Sequence, residues 1–67
     1  MASYKQIAAR ISAARASVDK AVALAKVIDP NANFVENQFL QNELTRIAGR
    51  LEGTYNIAMD LEYRKED

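Results

Sequence analysis

Apolar residues recur through the first half of the chain at alternating spacings of three and four: Tyr4, Ile7, Ile11, Ala14, Val18, Ala21, Ala25 and Ile28. A stripe with that period is the contact face of a coiled-coil-like helix. Ser3 followed by Gln6 offers a capping box at its start: the hydroxyl accepts from the backbone amide of residue 6, and the Gln side chain reaches back. No Gly or Pro interrupts Tyr4 to Ile28, and the segment is rich in alanine, the best helix former. Pro30 disfavours the α conformation at Asp29, and Asp29-Pro30-Asn31-Ala32-Asn33 is turn chemistry. The pattern predicts a first helix over about residues 4–28 and a turn over 29–33.

The second half carries another stripe: Leu40, Leu44, Ile47, Ala48, Leu51, Tyr55, Ala58 and Met59. These steps follow the helical period and drift off a strict heptad. Two starts fit. Asn33 with Glu36 makes a second capping box, and Asp29 followed by Pro30 makes a cap with proline in the first turn; the Asn33 start is preferred. The helix is expected over about residues 34–63, with Arg64 and Lys65 near its end, where cations favour the exposed carbonyls. Helices of such lengths would run about 38 and 45 Å, a matched pair. The expected fold is all-α: one antiparallel two-helix hairpin, assembling into a homodimeric four-helix bundle.

Composition points the same way on assembly. A chain of 67 residues lies below the size at which one core suffices, and the usual remedies are disulfides, metals or oligomerisation. The sequence has no Cys and no His, which excludes disulfides and removes the commonest metal ligands and the commonest general base. Neither a cofactor nor a metal is expected. The hydroxyls of Ser3, Ser12, Ser17, Thr45 and Thr54 have no His to activate them, and Asp60 and Glu62, two apart on a helix, point away from each other. The expectation is a protein that is not an enzyme.

Charge is balanced, with 9 Lys plus Arg and 9 Asp plus Glu, so no broad field attracts nucleic acid or an anionic membrane. The apolar runs are too short for a membrane span, and the N-terminal residues lack the pattern of a secretory leader. A cytoplasmic protein is expected. Charge is segregated, however. The first helix carries Lys5, Arg10, Arg15, Lys20 and Lys26 against Asp19, while the second carries Glu36, Glu43, Glu52, Asp60 and Glu62 against Arg46, Arg50, Arg64 and Lys65. A basic helix beside an acidic one favours their pairing, at a few tenths of a kcal/mol for each exposed contact.

A lone hairpin leaves half of each apolar stripe wet. The small residues Ala14, Ala21 and Ala25 permit close approach of another helix. Self-association is therefore assigned to Ile7, Ile11, Val18, Leu44, Leu51 and Tyr55. A second surface lies off the main stripe of the second helix: Val35, Phe39, Gly49, Gly53 and Ile57. Gly49 and Gly53 are four apart and share a face. Each costs about 1 kcal/mol relative to Ala in a helix interior, which points to a flat patch for another protein. The expected function is a protein-interaction module, an adaptor, inhibitor or chaperone-like protein presenting an apolar helix face to a partner. The alternative is RNA binding by a hairpin dimer. Lys5, Arg10, Arg15 and Lys20 step by five, about 140° per step, so they spiral around the helix and do not form one stripe. In length and helix–turn–helix pattern the chain resembles several unrelated small hairpins: plasmid RNA-regulating Rop-type dimers, small co-chaperones of type III secretion needles and phage-encoded inhibitors of host proteins. That likeness is one of architecture and carries no functional residue across.

Overall fold

The computed structural model describes residues 2–28 and 33–64. Over these it is all-helical, with α1 at Tyr4–Lys26 and α2 at Phe34–Arg64. The expected turn residues Asp29, Pro30, Asn31 and Ala32 lie outside the described residues, as do the alternative Asp29–Pro30 start and Lys65.

The predicted capping box forms at the start of α1. Gln6 N–H donates to Ser3 Oγ at 3.2 Å, and Ser3 N–H donates to Gln6 Oε1 at 3.0 Å. Two of the helix's orphan donors are thereby satisfied. α1 closes at Lys26, short of the expected Ile28. Val27 N–H donates to the Leu24 carbonyl at 3.2 Å, a three-residue bond that tightens the last turn. Asn33 precedes α2 with φ 53, a left-handed conformation that Asn tolerates. This differs from the extended backbone usual at an N-cap, although its carbonyl still accepts the first helical bond, from Asn37 N–H at 2.9 Å.

The helices pack antiparallel along their length, with Lys5 beside Glu62, Arg15 beside Glu52 and Ala25 beside Asn37. Burial shows which residues form the seam. On α1 it is Ala8, Ile11, Arg15, Val18, Val22 and Ala25; on α2 it is Asn37, Gln41, Leu44, Ala48, Leu51, Tyr55, Ala58 and Glu62, all buried or half-buried. Both sets alternate three and four, the heptad of a coiled coil.

This corrects both expected stripes. Ile7, Ala14 and Ile28 of the first are exposed, and the seam runs instead through Ala8, Arg15 and Val22. Leu40 and Ile47 of the second are exposed as well. The second seam does keep a heptad, because its ends are polar: Asn37 and Gln41 at one end, Glu62 at the other. These side chains stitch the helix ends. Asn37 Nδ2 donates to the Ala25 carbonyl at 3.2 Å, near the end of α1, and Gln41 Nε2 donates to Asn37 Oδ1 at 2.6 Å. At the other end Lys5 N–H donates to Glu62 Oε2 at 3.0 Å, so a carboxylate meets the positive end of the α1 dipole.

Among the described residues the buried ones are four alanines, Ala8, Ala25, Ala48 and Ala58. Small side chains let two helices approach closely, but they bring little apolar area out of water. The result is a thin rod of 56 × 17 × 12 Å with a radius of gyration of 15.8 Å, against about 11 Å for a compact chain of this length.

Candidate interaction surfaces

The hairpin has two broad sides and a back. On one side polar residues edge the grooves between the helices. One groove holds Ser12, Arg15, Glu52 and Asn56 beside Ile11, Leu51 and Tyr55, and Arg15 Nη1 lies 3.1 Å from Glu52 Oε2 across it. Two further grooves involve Lys5 with Met59 and Lys26 with Gln38. The rows that flank the seam here are thus Lys5, Ser12, Asp19 and Lys26 on α1 and Gln38, Thr45, Glu52 and Met59 on α2.

Because the helices are antiparallel, the other flanking rows fall together on the opposite side. They are Ile7, Ala14 and Ala21 from α1 and Leu40, Ile47, Thr54 and Leu61 from α2, while Ile28, past the end of α1, borders the groove of Lys26 and Gln38. Neither row is charged, and the Thr54 hydroxyl donates back to the Arg50 carbonyl at 2.9 Å, leaving its methyl as the outward chemistry. Ile7 is 46% exposed and Ile47 44%. The register set by Lys5–Glu62 and Arg15–Glu52 stacks this side in three layers: Ile7 with Leu61, Ala14 with Thr54, and Ala21 with Ile47.

Of the residues assigned to self-association, Ile11, Val18, Leu44, Leu51 and Tyr55 lie in the seam within one hairpin, half-buried, and Ile7 lies on the apolar side. The sequence reading placed Leu40 and Ile47 in the hairpin stripe and did not single out Leu61 or Thr54. The signal for them was present as a repeat of seven, masked because the adjoining seam row contains Gln41 and Glu62.

The residues assigned to an outer contact lie on the back of α2, away from α1. Val35 is 74% exposed, Phe39 66% and Ile57 62%. A Cβ at Gly49 or Gly53 would meet nothing within 4 Å, so neither glycine is required by packing inside the hairpin. The basic residues of α1 do not gather on one face, and Arg15 is paired with Glu52. Within α2, Glu43 pairs with Arg46 and Asp60 with Arg64. No helix of the described residues is long and apolar enough to cross a membrane, and among them no cluster of three or more acidic groups could hold a metal ion.

Compared with known protein families, with curated proteins and with solved structures, the chain matches none.

Proposed function

We propose that this protein is a non-enzymatic protein-interaction module. In this reading it works as a homodimeric four-helix bundle and offers an apolar helix face to a partner protein, in the manner of an adaptor, inhibitor or chaperone. The carrying observation is the balance of burial: among the described residues four alanines are buried, while twelve large apolar side chains are exposed. The accessible surface is 5444 Å², about 1,200 Å² more than a compact monomer of this mass presents. An excess of that size exceeds the roughly 800 Å² that each partner contributes to a standard interface.

Two apolar surfaces divide the work. The layered side from Ile7–Leu61 to Ala21–Ile47 serves self-association, and the back of α2, with Val35, Phe39 and Ile57, serves the other protein. The test is sedimentation equilibrium with far-UV circular dichroism over a dilution series. The expected result is a helical species at a discrete multiple of 7.5 kDa. A well-folded monomer at micromolar concentration would overturn the reading. Salt separates it from nucleic-acid binding: an apolar contact holds as salt rises, whereas phosphate binding weakens steeply.

A further inference from the structure

We infer that Glu62 is a pH-sensitive latch: its ionised carboxylate fastens the start of α1 to the end of α2, and protonation releases it. The inference does not depend on a second copy.

An α-helix begins with four backbone N–H groups that have no partner inside it. In α1 these belong to Ser3, Tyr4, Lys5 and Gln6. The capping box serves Ser3 and Gln6. Lys5 N–H donates instead to Glu62 Oε2 at 3.0 Å, from a residue 57 positions away in the chain. The first turn of α1 has no acidic residue of its own, although negative charge is stabilising there. α2 supplies that charge from Glu62, a half-buried seam position one turn beyond the buried Ala58.

The two ends of the hairpin are held by different chemistry. Near the end of α1, the Asn37 amide donates to the Ala25 carbonyl, and an amide does not titrate. At the start of α1, the fastener is a carboxylate. Ionised, it only accepts hydrogen bonds and carries the charge that meets the α1 dipole. Protonated, it loses that charge. The contact is therefore at full strength above the ordinary carboxylate range, about 4, and weakens as pH falls through it. The groups around it do not replace the charge. Tyr4 and Lys5 are the titratable residues of α1 at this end, and neither changes its charge in the acid range. Along α2, Tyr55 lies two turns before Glu62 and Tyr63 follows it, while Asp60 and Arg64, two residues to either side, pair with each other at 2.9 Å. Met1, Lys65, Glu66 and Asp67 lie outside the described residues. Acid thus opens the hairpin from one end and spares the other. Ile7, which faces Leu61, stands in the stretch the latch holds, so release also separates that layer.

Amide signals of the isotope-labelled full chain test this, because Lys5 N–H has no helical partner and reports the Glu62 contact directly. Between about pH 7 and about pH 3, the Lys5 signal is expected to follow a single carboxylate titration. Its protection from exchange, taken relative to Val18 in the middle of α1, is expected to fall about fivefold. Glu62→Gln keeps an oxygen acceptor and removes the charge. In this variant, with far-UV circular dichroism unchanged at neutral pH, Lys5 is expected not to titrate and to show the low relative protection throughout. Glu52→Gln, at the carboxylate that meets Arg15, is expected to behave as wild type. A Lys5 signal that does not titrate in wild type, or that titrates unchanged in Glu62→Gln, overturns the latch.

Discussion

Asn37 shows how a polar residue can belong to an apolar seam. Its side-chain amide reaches 3.2 Å to the Ala25 carbonyl and accepts from Gln41. The Ala25 carbonyl also accepts from Ile28 N–H at 3.4 Å, so removing the amide takes away one hydrogen bond and leaves the carbonyl partnered. Asn37→Ala is expected to cost about 0.5–1.5 kcal/mol, read as a lower denaturation midpoint at constant protein concentration. Ser3→Ala, which removes the hydroxyl half of the capping box, is expected to cost about 1 kcal/mol by the same measurement. The glycines make the opposite prediction. Open space surrounds both, and neither has positive φ. Gly49→Ala should therefore stabilise the isolated protein by about 0.5–1 kcal/mol. If the back of α2 receives another protein closely, the same substitution weakens that binding. A fall in stability would show that the glycine is needed in the free protein.

At the scale of the element, the helices and their polarity were legible and their facing was not. The capping box at Ser3 and Gln6, the uninterrupted α1 and the two-helix architecture follow from local chemistry, which the sequence states directly. The facing of α1 depends on a choice between two rows. Tyr4, Ile11, Val18 and Ala25 repeat every seven and belong to either seam. Ile7, Ala14, Ala21 and Ile28 complete one; Ala8, Arg15 and Val22 complete the other. Hydrophobicity favours the first row. The hairpin uses the second, because Ala8 admits close approach and Arg15 can reach Glu52 at the edge while its stem stays in the seam. The apolar row left over is the candidate interface, so the misreading of the seam and the discovery of the surface are one fact. Overpacking tests the assignment: Ala48→Leu, in the seam, is expected to destabilise the hairpin by about 1–3 kcal/mol. Ala14→Leu, on the open side, is expected to leave the hairpin's own packing intact and to raise the dissociation constant of the proposed dimer, measured by sedimentation.

Across the whole molecule, the two surfaces should respond independently. Ile47→Glu places a charge on the layered side and is expected to shift the protein toward monomer in sedimentation. Phe39→Glu alters the back of α2 and is expected to leave the oligomeric state unchanged while abolishing binding of the protein proposed to dock there. If Phe39→Glu dissociated the dimer, the division of labour between the two faces would be wrong.

The alanine core has one more consequence. Among the described residues four alanines are buried, which gives a solitary copy little to hold it folded, and in the proposed dimer most of the stability would come from the second copy. Association and folding then become a single equilibrium, and the melting temperature is expected to climb with total concentration. In a cell this would make lifetime depend on abundance. Freshly made or surplus-free copies below the dissociation constant open readily and are degraded, while a population above it shelters itself. Supply alone would switch such a protein on, without a modifying enzyme or a bound metabolite.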